Sequence, residues 1–318
     1  MNIVFLDKKT LGDDIDISCF SDFGNLIVYD TTSPDERAKR VEDADIILTN
    51  KVVIDDAIMA AAPKLKYIGI AATGYNNVVL PAARKREIAV TNVCSYSTDA
   101  VAGHTFALLF KMMENVSKFD EYVKSGSYSD SGLFTWHGNP FTELAGKTWG
   151  IIGLGEIGRR VAGIAGAFGC RVVYYSTSGA NDNPNYERVT FEQLLAESDI
   201  VSVHAPLNAA TEKLMNYEAF LQMKKTAYFI NVGRGPIVVE SDLARAVDEN
   251  RIAGAGLDVF DKEPLPADSP LLKATNKEKL VLTPHVAWAG YEARTRLVHE
   301  MYSNIKAFVN SEKRNRVD

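Results

Sequence analysis

Residues 147–152, KTWGII, form a short apolar run, and directly behind it three glycines fall in the pattern G-x-G-x-x-G: Gly153, Gly155 and Gly158, with Glu156 and Ile157 between the last two. Residues 159–168 follow with a helical pattern and small residues on one face. The first glycine of such a turn permits the tight bend, the second lets a ligand approach the backbone, and the third brings helix against strand, leaving an anion at the helix N-terminus. The same glycine pattern also occurs by chance in loops. Here the strand before it and the helix behind it point to a dinucleotide pyrophosphate as the anion.

The rest of the chain repeats the strand-and-helix rhythm. Upstream, apolar runs at residues 2–6, 25–29, 45–48, 67–70 and 88–90 alternate with helical patterns, which predicts a parallel α/β sheet. A long helical pattern begins near Thr98, runs through VAGHTFALLFKMMENVSKFDEYVKSG and stops at Gly126; it reads as the link between two lobes. Downstream, strands are expected at residues 171–175, 199–204, 227–232, 253–259 and 280–283, with helices such as 241–250 between them, giving a second complete sheet. Behind Pro284 the pattern is helical again, and this last helix is expected to return to the first lobe. Residues 125–141, SGSYSDSGLFTWHGNPF, read either as a surface loop or as an aromatic arm that packs against a subunit neighbour.

At 318 residues the chain is long enough for two domains with a cleft between them. A net charge of −6 with no long basic run argues against nucleic acid or an anionic membrane surface and favours a small-molecule partner. No apolar stretch reaches membrane-spanning length, and the N-terminus begins as a strand. Cys19, Cys94 and Cys170 are an odd, widely spaced set, which suits reduced thiols packed as small core residues and offers no metal-ligand spacing. The expectation is a soluble cytoplasmic protein without a metal.

Polar residues behind the C-terminal ends of the later strands carry the chemistry. Arg234 follows one strand in NVGRG, Glu263 follows the next in GLDVFDKEP, and His285 follows the last in LVLTPH. An arginine offers a planar fork for a carboxylate, a histidine can donate a proton to a carbonyl oxygen, and a glutamate favours the imidazolium. Each alone has an ordinary structural explanation; three at one sheet edge are harder to explain that way.

With these motifs the chain resembles the D-isomer-specific 2-hydroxyacid dehydrogenase family over essentially its whole length. The resemblance lies in the glycine turn, in HAPLNAAT at 204–211, NVGRGPIV at 231–238, GLDVFDKEP at 256–264 and TPHVAWAGYEAR at 283–294. It implies two Rossmann-like, doubly wound parallel-sheet domains of the α/β class, one flavodoxin-like and one NAD-binding, with the cleft between them. The substrate domain would comprise residues 1–99 and 289–318. The dinucleotide domain, 100–288, would include the linker helix and a dimerisation arm. By resemblance Arg234 binds the substrate carboxylate together with backbone N–H groups at Thr73 and Gly74, His285 is the general acid and base, and Glu263 tunes it. His204, Ala205, Pro206, Thr211, Val232, Gly233 and Asp258 correspond to positions that line the cofactor cleft, although strand-end packing is an alternative for Val232. His104 is assigned a structural role.

One position departs from an NAD-preferring site. The acid that ends the second strand and binds the ribose hydroxyls is replaced by Ser176, in RVVYYSTSGAN. Its absence removes both the hydroxyl clamp and the repulsion of a 2′-phosphate, while no arginine follows directly; the cofactor is left as NAD or NADP. AATGYNNV and HVAWAGYEAR resemble the glycerate dehydrogenase (hydroxypyruvate reductase) branch, which implies a small 2-oxo or 2-hydroxy acid and a homodimer. Trp136 and Trp288 are candidates for narrowing the pocket, and Asn50 and Lys51 for touching a substituent at C3, with packing or surface roles as the alternatives. Glu263 stands where formate dehydrogenases of the superfamily carry an amide. A D-lactate or other 2-oxo acid reductase, and a nucleotide-sensing corepressor that keeps the same three residues, remain open.

Overall fold

Branched apolar residues dominate the strands, and all the strand pairs run parallel. The computed structural model describes residues 1–138 and 140–318 and divides them into two units, Met1–Ser97 with Trp288–Asp318, and Thr98–Ala287.

In the first unit β1 (Asn2–Phe5), β2 (Asn25–Val28), β3 (Ile46–Thr49), β4 (Tyr67–Ile70) and β5 (Ala89–Thr91) lie in the order β2-β1-β3-β4-β5, the flavodoxin-like arrangement. β3 and β4 are buried along their whole length, as strands are when both faces of a parallel sheet are covered. Val4, Leu6, Ile47, Ile68, Ile70 and Val90 form the core. The helix Tyr291–Val309 packs here, with the Phe308 ring 4.9 Å from that of Tyr67, and Val317 N–H then donates to Val90 O at 2.9 Å.

The second unit holds β6 (Thr148–Ile152), β7 (Arg171–Tyr175), β8 (Glu187–Arg188), β9 (Ile200–Val203), β10 (Tyr228–Asn231), β11 (Gly254–Leu257) and β12 (Leu280–Leu282), ordered β12-β11-β10-β9-β6-β7-β8. From β6 the chain builds outward to β8, then crosses back and builds the other way from β9. The β6/β9 boundary is therefore the topological switch point, outside whose C-terminal strand ends ligands bind in such sheets. Leu194, Phe220, Phe229, Leu243 and Leu257 lie in its core.

Several expectations are corrected. The long helix behind Thr98 is not continuous: it ends at Met113, Asn115 takes a left-handed conformation (φ 54°), and a separate helix spans Val116–Lys124. The first helix buries seven residues and the second buries none, so the tertiary support that would carry one helix through Asn115 is missing. β8 is an exposed Glu-Arg pair that no apolar run marks. Trp136 belongs to the aromatic arm, where its ring stacks on Tyr122 at 4.1 Å and meets Phe119 edge-on at 5.9 Å. Asn139, part of that arm in the sequence, lies outside the described residues. Of the three free cysteines only Cys170 is a buried core residue; Cys94 is exposed and Cys19 half-buried. Among the described residues no helix is long and apolar enough to cross a membrane.

Candidate active site

The glycine turn sits at the switch point. Gly153 has φ +92°, and a Cβ there would lie 2.8 Å from Ala205 Cα, so the turn and the loop behind β9 share backbone contact. A Cβ on Gly158 would lie 2.4 Å from Gly153 O, closing the helix Glu156–Ala167 onto the turn. Gly155 differs: a Cβ there would meet nothing within 4 Å, and no side chain caps the helix it precedes. Open space over an uncapped helix N-terminus is where a pyrophosphate fits, and Glu156 and Ile157 begin that helix. Gly233, behind β10, closes the same wall, since its Cβ position is 3.2 Å from Ala205 O.

His204 adds a polar atom without a partner. Trp149 Nε1–H donates to Ser202 Oγ at 2.9 Å, and His204 Nε2 shares a hydrogen bond with the same oxygen, also at 2.9 Å. Nδ1 is buried with no hydrogen-bond partner among the described residues. Burial pushes the imidazole down to about 3, so it is neutral at pH 7. A buried polar atom left unpaired beside the turn suits a ligand's polar group.

Arg234, Glu263 and His285 follow β10, β11 and β12, three adjacent strands. His285 Nδ1 is 2.6 Å from Glu263 Oε2, and Glu263 Oε1 accepts the Phe260 N–H at 3.0 Å. An ionised carboxylate only accepts, so Nδ1 is the donor to it and proton exchange with a substrate must run through Nε2. Arg234 is half-buried, with Nη1 on Gly233 O at 2.8 Å.

The family description "D-isomer specific 2-hydroxyacid dehydrogenase, NAD binding domain" matches residues 106–287, more than half of the chain. The chain belongs to this family. It is accordingly an oxidoreductase of 2-hydroxy acids that uses a nicotinamide cofactor. The dehydrogenase is 36% identical to the hydroxypyruvate reductase of Blautia hydrogenotrophica, over 97% of both chains. It is 33% identical to the glycerate dehydrogenase of Methylorubrum extorquens, over 99% of this chain and 98% of that one. Among solved structures, the acyclic imino acid reductase Bsp5 in complex with NADPH and D-Arg is 30% identical with a TM-score of 0.87, each chain covered completely.

Further side chains of the dehydrogenase act one layer out. Asn231, fully buried, accepts the Gly233 N–H at 3.0 Å and donates to Arg234 O at 2.9 Å, fixing the turn that presents the arginine. Asp258, 1% exposed, takes the Thr283 hydroxyl at 2.7 Å, Val286 N–H at 2.9 Å and Ala287 N–H at 2.8 Å. Those bonds clasp the loop on which His285 stands at φ 55°, a conformation that costs a non-glycine residue energy unless its surroundings impose it. His104 Nε2 closes the cluster on Thr283 Oγ1 at 2.9 Å. Asn231 and Thr283 escape a reading that looks for reactive groups; their only sequence signal is a polar residue at an otherwise apolar strand end, whereas His104, on the helix Thr98–Met113, has the structural role the sequence assigned it.

Other candidates are placed less directly. Thr211, buried, spends its hydroxyl on Pro206 O at 2.7 Å and so shapes the 206–211 loop; Val232 is 8% exposed. Ser176, directly behind β7, is nearly buried. In the other unit, Thr73 and Gly74 lie in the loop behind β4, with Thr73 Oγ1 on Val93 O at 2.9 Å. Asn50 and Lys51 follow β3, their backbone N–H groups held by the buried Asp7 carboxylate at 2.9 and 2.6 Å. Burial outweighs these donors and pushes the Asp7 carboxyl above its ordinary range. Asn50 is buried, Lys51 is exposed, and Trp288 meets Tyr96 edge-on at 6.4 Å.

Proposed function

We propose that the dehydrogenase reduces a small 2-oxo acid, hydroxypyruvate or glyoxylate, to D-glycerate or glycolate. The names of the two curated relatives support the substrate class, and the 2.6 Å contact between His285 Nδ1 and Glu263 is the observation that carries the mechanism. The glycine turn, His204, Ala205, Pro206 and Gly233 hold the dinucleotide, with Val232 and Thr211 supporting those loops and Asp258 the loop that carries His285. A nicotinamide bound there in its reduced form would supply the hydride for C2 of the substrate. Arg234 grips the substrate carboxylate with its planar fork. As the carbonyl π-bond breaks, its oxygen takes the proton from His285 Nε2, which leaves a neutral imidazole and an alcohol. Glu263 stabilises the imidazolium before transfer and fixes the ring so that Nε2 faces the oxygen.

The test is oxidation of NADH and of NADPH by the purified protein with hydroxypyruvate, glyoxylate, pyruvate and a bulky branched 2-oxo acid. Preference for the first two is expected. Preference for pyruvate would move the assignment to a lactate-type reductase, and peptide binding without turnover of any acid would favour the corepressor reading.

The working unit is proposed to be a homodimer in the cytoplasm. Its arm carries Leu133 and Phe134 at 61% and 94% exposure, more apolar surface than a lone chain ordinarily leaves to water.

A further inference from the structure

Ser176, directly behind β7, puts no carboxylate at the strand's tip, and the loop it opens is tied to the glycine turn. Asn181 N–H donates to Ser176 Oγ at 3.2 Å, while Asn181 Nδ2 donates to Leu154 O at 2.7 Å. Arg159 Nη1 reaches the same carbonyl at 3.3 Å. Tyr174 Oη, from within β7, accepts Asn183 N–H at 3.0 Å. The loop is thereby continuous with the place where the dinucleotide fits.

In sequence no cation follows β7, but the sheet supplies one. β8 pairs with β7 so that Arg188 lies opposite Tyr174. Its Nη2 comes within 3.9 Å of the point where a Cβ on Gly179 would stand. The acid beside it is already engaged: Glu187 pairs with Arg171 at 2.8 Å, and that arginine also holds Glu197 at 2.9 Å. The Arg188 guanidinium makes no hydrogen bond or ion pair among the described residues and is exposed. Thr177, half-buried, and Ser178, exposed, bring hydroxyls to the same loop, whose one acid, Asp182, is exposed on the far side of Asn181 in the chain.

We propose that this loop is a phosphate-monoester subsite, that Arg188 is the cation that binds the 2′-phosphate of NADPH there, and that the dehydrogenase therefore prefers NADPH to NADH. The proposal rests on the reading of the Thr98–Ala287 unit as the dinucleotide site. A guanidinium presents a fork that matches phosphate oxygens, hydroxyls complete the shell, and the missing acid removes the group that would repel the phosphate and clasp a free ribose diol.

Direct binding tests it without turnover. The full-length protein is titrated calorimetrically with NADPH and NADH, and with 2′,5′-ADP and 5′-AMP, and the ratio of dissociation constants is read. NADPH and 2′,5′-ADP are expected to bind tighter than their partners by about tenfold or more, the range of one charge-assisted contact. Arg188→Ala should bring both ratios close to one, Arg188→Lys should leave an intermediate value, and Ser176→Asp should invert the NADPH preference. Arg188 is exposed on a two-residue edge strand, so its own replacements leave the core intact and carry the test. Equal or tighter binding of NADH by the unmodified protein, or a ratio that Arg188→Ala does not move, overturns the proposal and leaves the dehydrogenase assignment standing. Failure to bind either dinucleotide overturns the site reading and the proposal with it.

Discussion

His285, the proposed proton donor, stands on a loop fixed by a neighbour that need not meet the substrate. Asp258 binds Thr283, Val286 and Ala287 on either side of its left-handed backbone. Asp258→Ala is expected to lower kcat roughly a hundredfold, the scale of a misplaced catalytic group. Circular dichroism should show the fold retained, and an unchanged kcat would show that the loop holds itself. Arg234→Lys keeps the charge but loses the fork, and the specificity constant for the 2-oxo acid should fall by about a hundredfold; steady-state kinetics decides. His204 predicts a stability effect. In the unfolded chain it takes a proton near its ordinary value of 6.5, whereas in the folded protein it stays neutral down to about 3. Acidification from pH 7 to pH 4 therefore favours unfolding, and a calorimetric Tm should fall less over that range in His204→Asn than in the unmodified protein. At this scale the sequence disclosed Arg234, Glu263 and His285 as reactive residue types behind strand ends. Asn231 and Thr283 were not legible, because they act through hydrogen bonds that only the folded backbone creates, while His104 was read as structural and is held on Thr283 Oγ1.

The glycine turn is the element whose physics was most fully visible in advance, since strand, glycines and helix are all local in sequence. Its tolerance is correspondingly small. A Cβ on Gly158 would strike Gly153 O, so Gly158→Ala should abolish dinucleotide binding in calorimetric titration and lower Tm by several degrees, about what a close backbone clash costs. Normal binding by that variant would contradict the packing. Strands were legible as apolar runs within a residue or two, but β8 was not, because a two-residue polar edge strand exists only through its pairing with β7. The break at Asn115 was hidden for a related reason: the apolar periodicity continues past it, and what changes is burial. The exposed arm makes its own prediction. Phe134→Glu should shift sedimentation from dimer to monomer, and an unmodified protein that is already monomeric would remove the arm from the dimer interface.

For the whole molecule, there are two parallel sheets, and the proposed cofactor wall and the three proposed reactive side chains all belong to Thr98–Ala287. Every reactive residue follows a C-terminal strand end, which is where this topology collects polar groups while its strands stay buried. The central claim is that His285 donates the proton to the reduced acid. It is tested by comparing hydroxypyruvate reduction by the unmodified protein and by His285→Ala, with dinucleotide binding titrated on the same samples. The account predicts a loss of turnover of roughly a hundredfold to ten-thousandfold with the dinucleotide dissociation constant unchanged. Retained turnover in His285→Ala would contradict it.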